Sequence, residues 1–228
     1  MDSATDGVIV MTFGSICKTI PQDMLEGILS IVSDLKQKLI LRHDGEAPRS
    51  VPGNVLIQKW LPQNDLLGHP NTKVFITHAG ANGQMESTYH GVPMLMLPQF
   101  DDQPYNAKRA QKAGYGLIAD PKNFDVEDFK SKLMELLNNP SYFEKSQNCS
   151  KILHGMHSPQ EKAVFWIEHV LQYGSDHLRP YYIDMPMWKF WMVDILIFVS
   201  VLGITLLCGA RWCCMRCFRK NTVKAKKE

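Results

Sequence analysis

The sequence predicts a layered α/β domain on a mostly parallel sheet, followed by one membrane span. Three observations carry this. From Gly7 to Tyr173, short apolar runs of strand length alternate with amphipathic segments of helical period. The links between them are short, as in units whose helices cover both faces of a parallel sheet. After Tyr173 the composition turns polar and Pro-containing, and Trp188 to Ala210 then reads WKFWMVDILIFVSVLGITLLCGA.

Gly7 to Phe13 (GVIVMTF) is a buried first strand entering a loop at Gly14-Ser15. Pro21 opens an amphipathic helix with Met24, Leu25, Ile28, Ile31, Val32 and Leu35 on one face. Lys38 to His43 and Asn54 to Lys59 are the next strands, separated by a Gly- and Pro-bearing loop. A short helix follows Trp60-Leu-Pro62-Gln63. Strands are expected over Lys73 to Thr77 and Met94 to Leu97, with a helix from about Ala81 to Tyr89 between them. Gln103 to Lys112 is helical and Gly116 to Ala119 is an edge strand. Phe124 to Leu137, Tyr142 to Ile152 and Gln160 to Tyr173 are three more helices, the first interrupted by Pro140. Right-handed crossovers make a Rossmann-like arrangement the simplest topology. The expected organisation is a domain over 1–173, a linker over 174–187, a transmembrane helix over 188–210 and a basic tail over 211–228.

The uncharged part of the apolar run, Ile195 to Ala210, gives about 24 Å of helix, and counting from Phe190 gives about 32 Å, enough to span. The longer count includes Asp194, within a turn of the near edge, where its cost is reduced. Trp188, Trp191 and Trp212 mark the two interfaces. Arg211, Arg216, Arg219, Lys220, Lys224, Lys226 and Lys227 follow the span, which orients the tail to the cytosol and the domain to the lumen or exterior. Lys224 and Lys226 stand five and three places from the end. That spacing fits a dilysine retrieval signal of the endoplasmic reticulum and equally a generic solvated tail on an anionic leaflet.

A net charge of +2 on 228 residues, with no basic cluster in the first 200, sets nucleic-acid binding aside. Of six cysteines, Cys208, Cys213, Cys214 and Cys217 crowd the C-terminal end. No histidine or second pair completes a four-ligand zinc set, so they read as reduced juxtamembrane thiols open to palmitoylation. The opening MDSATDG has neither the basic nor the apolar region of a signal peptide.

The chemistry gathers between Trp60 and Gln103. His78 lies between a strand and a helix, beside Gly80, Asn82 and Gly83. Backbone N–H groups at such a helix start are unpaired and favour an anion, and the glycines let a bulky one approach. Glu86 on the first turns can accept from a ribose diol, or simply complement the helix dipole. Trp60 at a strand end suits base stacking, or a place in the core. Asp101, Asp102 and Gln103 offer carboxylates and an amide for a polyol, or half of a metal site. On one edge of one sheet, they make a nucleotide-sugar site.

With Phe75-Ile-Thr-His-Ala-Gly80, Glu86, Pro93, Pro98 and Asp102-Gln103 in place, the stretch resembles the donor box of the UDP-glycosyltransferases. The whole chain resembles the C-terminal half of the membrane-anchored animal UDP-glucuronosyltransferases. The resemblance implies the Rossmann-like C-terminal domain of the GT-B architecture. It implies Trp60 and Gln63 on the uracil and ribose side, Ser15 on the diphosphate, and Thr77, His78, Gly80, Asn82 and Gly83 around the phosphates. Glu86 would hold the ribose, and Asp102 and Gln103 the sugar hydroxyls. Ala79 departs from the glycine that many animal members have there.

By the same resemblance, the co-substrate is UDP-glucuronate or UDP-glucose, with no further cofactor and no metal. The catalytic His and Asp belong to an N-terminal acceptor domain, so no catalytic residue is expected in this chain and His78 has a supporting role. A small lipophilic acceptor would be reached through that domain. The other expected partners are the lipid bilayer and other UDP-glycosyltransferases, as homo- or hetero-oligomers, and the expected location is the endoplasmic reticulum membrane. Two further readings are a short form that binds UDP-sugar without turnover and modulates full-length partners, and one half of a two-chain enzyme.

Overall fold

A computed structural model describes residues 1–14, 20–156 and 158–224. The chain divides into two compact units, Met1–Pro159 and Gln160–Glu228.

In the first unit, six strands form one sheet: β1 (Val8–Thr12), β2 (Lys38–Arg42), β3 (Val55–Gln58), β4 (Thr72–Thr77), β5 (Met94–Met96) and β6 (Gly116–Ile118). Every pairing is parallel, and the order is β3-β2-β1-β4-β5-β6. The chain winds outward from β1 in one direction and from β4 in the other. The loops after these two neighbours diverge, leaving a crevice at their carboxyl ends.

The pleat sorts the apolar strand residues onto two faces. Ile9, Met11, Leu39, Leu41, Val74, Ile76 and Leu95 share one buried cluster with Leu25, Ile28 and Val32 of α1 (Gln22–Ser33) and Phe129, Leu133 and Leu136 of α5 (Val126–Asn138). Val8, Val10, Ile40, Phe75, Met94 and Met96 form the other. They pack with Leu67 of α2 (Gln63–Leu67) and with Ala107 and Ala110 of α4 (Gln103–Ala113). Burial on both faces is why these strands read as continuous apolar runs. Between β4 and β5 lies α3 (Ala81–His90), closed by Gly91 at φ 68, where a side chain would be strained.

Two boundaries moved for local reasons. α5 starts at Val126 rather than Phe124, because the Asp125 carboxylate accepts from Asp128 N at 2.8 Å and caps it there. α6 (Pro140–His154) starts at the proline that ends α5, with Asn139 Oδ1 accepting from Ser141 N at 3.1 Å.

The second unit holds most of α7 (Pro159–Tyr173), which the sequence assigned to the first domain. Its apolar positions are spaced as for burial, yet none of its residues is buried. Two 3-10 turns follow, with Arg179 paired to Asp184 at 2.9 Å. The predicted single helix over 188–210 is instead two: α8 (Met187–Phe190) and α9 (Val193–Lys224). Met192 at φ 53 separates them and leaves Trp188 and Trp191 before the break. Within α9, Val193–Trp212 is long and apolar enough to cross a membrane. Asp194 sits in its first turn, where the dipole favours an acid. The helix runs on through the basic segment to Lys224, since Arg and Lys are good helix formers. Lys226 and Lys227 lie outside the described residues.

Candidate functional site

Parallel register builds the floor of the site. At the carboxyl edge Thr12 pairs with Thr77 and Arg42 with Gln58, while Met11 pairs with Leu41 one step earlier. The loops leaving this row enclose a cleft of about 630 Å³ in the first unit, a size that suits a nucleotide-sugar. Trp60, Gln63, His78, Gly80, Asn82, Gly83, Glu86, Asp102 and Gln103 line it together. Of the other two residues singled out in sequence, Ser15 lies outside the described residues. Thr77 is fully buried in β4 and is not part of the lining; its Oγ1 lies 3.4 Å from His78 Nδ1, behind the cleft wall.

The His78 imidazole sits in a slot between two glycines. A Cβ on Gly80 would fall 2.5 Å from its Nε2, and one on Gly14 would fall 2.8 Å from its Cε1. Gly14 has φ 72, so a side chain there also meets backbone strain. The sequence assigned Gly80 and Gly83 to the approach of an anion. The missing side chain of Gly80 also clears His78, whereas a Cβ on Gly83 would only touch Phe75 and Gln63, at 3.4 and 3.5 Å. Gly80 is the N-cap of α3 and, among the described residues, no side chain caps the helix, which leaves its first N–H groups to the cleft.

Glu86 is tied to the opposite wall. Thr12 Oγ1 donates to Gln63 Oε1, and Gln63 Nε2 donates to Glu86 Oε2 at 2.8 Å. The bond fixes one carboxylate oxygen and leaves the other to a ligand. Gln103 is buried, and its Oε1 accepts from Gln99 N at 2.9 Å and Phe100 N at 3.3 Å. What it has left for a ligand is its amide donor. Asp102 is exposed in the cleft, with one oxygen held by Asn106.

Arg42 was missed in the sequence. It ends β2, lines the cleft, donates to the carbonyls of Gly14 and, at 3.1 Å, of Lys59, and lies 5.3 Å from the Trp60 ring centroid. The cation supports an indole that is 72% exposed and so remains open for stacking. The available signal was a charge closing an apolar strand at its carboxyl end.

Burial pushes the His78 imidazole below the usual histidine value, and the Asp102 carboxylate pulls it part of the way back. It is therefore neutral near pH 7 in the empty site. An anion beside Nε2 would raise its pKa, so binding would take up a proton. Affinity for an anion that does not itself titrate in this range is expected to rise a few-fold as pH falls from about 7.5 toward 6. Calorimetry in buffers of different ionisation enthalpy would read the proton directly, and His78→Ala should abolish the uptake.

The sequence profile described as UDP-glucoronosyl and UDP-glucosyl transferase matches residues 1–228. UDP-glucuronosyltransferase 2C1 of Oryctolagus cuniculus is 37% identical over 231 residues, covering 99% of this chain and 46% of its own. UDP-glucuronosyltransferase 2B7 of Homo sapiens is 37% identical over 227 residues, covering 99% and 43%. The chain thus spans less than half the length of these relatives. Among solved structures, the kitacinnamycin glycosyltransferase superposes with a TM-score of 0.66 at 26% identity, over 73% of this chain and 43% of that one. The parallel Rossmann-like sheet is thus the fold of GT-B glycosyltransferases, and the chain belongs to the UDP-glucoronosyl and UDP-glucosyl transferase family.

Proposed function

We propose that this chain is the donor-binding half of an inverting, metal-independent UDP-glycosyltransferase that uses UDP-glucuronate or UDP-glucose. The observation that carries the reading is the convergence of Trp60, Glu86, His78, the start of α3 and Asp102 on one cleft at the strand switch point. Trp60 takes the uracil face and Glu86 with Gln63 the ribose. His78 and the N–H groups of α3 take the diphosphate, whose charge grows as the glycosidic bond breaks. Asp102 accepts from sugar hydroxyls and Gln103 donates to the sugar.

In the complete reaction the acceptor oxygen attacks the anomeric carbon, its proton passes to a base, and UDP leaves. We assign that base and the lipophilic acceptor's pocket to the part of the relatives beyond the matched region. Their names speak of glucuronosyl transfer, which favours a UDP-linked donor here. By the excess of Arg and Lys after the span, we infer that the tail faces the cytosol and the domain the lumen or exterior, and the family resemblance favours the endoplasmic reticulum membrane.

Calorimetry on the full chain in detergent micelles, with UDP, GDP, UDP-glucose and UDP-glucuronate, tests the assignment. UDP should bind and GDP should not. Asp102→Ala or Gln103→Ala should lower the affinity for both UDP-sugars relative to UDP. Failure to bind UDP at millimolar concentration would refute the reading.

A further inference from the structure

Asn106 lies behind the cleft wall, one turn into α4, and is 7% exposed. It does not line the cleft. Its Nδ2 donates to Asp102 Oδ2 at 2.8 Å and to the Ala79 carbonyl at 3.2 Å. Its own N–H donates to the Asp102 carbonyl at 3.0 Å, and its carbonyl accepts from Gln84 Nε2 of α3 at 3.1 Å. An ionised carboxylate and a backbone carbonyl accept only, so the amide can face them in only one orientation.

We propose that Asn106 is a positioning residue that fixes the carboxylate of Asp102 relative to the turn at His78–Gly80. It thereby sets the spacing between the sugar and diphosphate ends of the donor. This deepens the donor-site reading and rests on it. Three features of the geometry support it. One NH2 group serves both elements. The residue is buried, so no water replaces it. Ala79, whose carbonyl it holds, sits at φ 64, a conformation alanine does not keep unaided. The titratable groups at this junction are Asp101 and Asp102 at the start of α4 and His78 from the turn, while α3 presents neutral Gln84.

Two variants of the full chain in micelles decide it, with UDP and UDP-glucose as probes. Asn106→Asp is nearly isosteric and places a second carboxyl against Asp102. At pH 8 the two repel, and UDP-glucose should bind about tenfold more weakly while UDP stays within about twofold. As pH falls toward 5.5 a shared proton restores one O–H donor, and the UDP-glucose to UDP ratio should return to the wild-type value. Comparing the ratio with that of the wild type at the same pH cancels the titration of His78 and of the terminal phosphate that UDP has and UDP-glucose lacks. Equal loss of both ligands at every pH would overturn the proposal.

A ligand-free arm follows the His78 imidazole by NMR titration. Asn106→Leu releases Asp102, so the His78 pKa should fall as far as in Asp102→Asn. The double variant should fall no further. An unmoved His78 titration in Asn106→Leu would also overturn the proposal. Should the wild-type chain bind neither probe, the donor reading fails, and this arm still decides whether Asn106 positions Asp102.

Discussion

Glu86→Leu is expected to weaken UDP binding by up to about a hundredfold. The residue is the end of a chain of bonds that starts at Thr12 of β1, passes through both ends of the Gln63 amide and stops on Glu86 Oε2 at 2.8 Å. Leucine removes the acceptor assigned to the ribose diol and strands the Gln63 donor in a half-buried place. A hydrogen bond to a charged group contributes about 1.5–3 kcal/mol, and an unpaired buried donor costs a similar amount. Only the bond to the ribose enters Kd, and its loss is worth about one to two decades, while the stranded Gln63 donor lowers stability instead. Glu86→Gln keeps the shape and one acceptor oxygen, so its loss should be about tenfold. Calorimetric titration with UDP checks both, with a thermal melt to confirm that α3 is intact. A leucine variant with wild-type UDP affinity would remove Glu86 from the site.

Gly80→Ala should cost about thirtyfold in UDP affinity for a different reason. The backbone there, at φ −64 and ψ 148, accepts any residue. The conflict is with the imidazole alone, whose Nε2 lies 2.5 Å from where the new Cβ would sit. His78 must swing away, and its charge-assisted bond to a phosphate oxygen goes with it. Stability should fall by only about 1 kcal/mol, the difference between glycine and alanine at a helix N-cap. Gly14→Ala makes a useful contrast. It presses on the same imidazole but at φ 72, so it should lose stability by about 1–2 kcal/mol more. Chemical denaturation and UDP titration on the same samples separate the two variants. Unchanged affinity in Gly80→Ala would mean that the diphosphate does not use His78.

The sheet was legible because its central strands, β1, β4 and β5, are buried on both faces, so their apolar runs are unbroken in the sequence. The polar residues from Trp60 to Gln103 were legible because short loops at one sheet edge keep sequence neighbours together. Arg42 and Asn106 were not. Arg42 reaches Gly14 only because parallel pairing sets the end of β2 beside the end of β1, across 28 residues of chain. Asn106 reaches Ala79 across 27 residues through the docking of α4. Thr77 stands next to His78 in sequence, yet its side chain is fully buried against the imidazole and does not itself line the cleft. The break at Met192 escaped notice because an apolar run carries no mark of a single residue in the left-handed region.

Ala79 bears on when the site comes into being. At φ 64 its backbone lies about 1–2 kcal/mol above an ordinary conformation. The hydrogen bond that holds its carbonyl comes from α4, which follows it by more than twenty residues. The turn is therefore expected to settle once α4 has docked on the sheet and supplied that bond. By the same reasoning, its amides should be among the first in this domain to exchange when α4 fluctuates away.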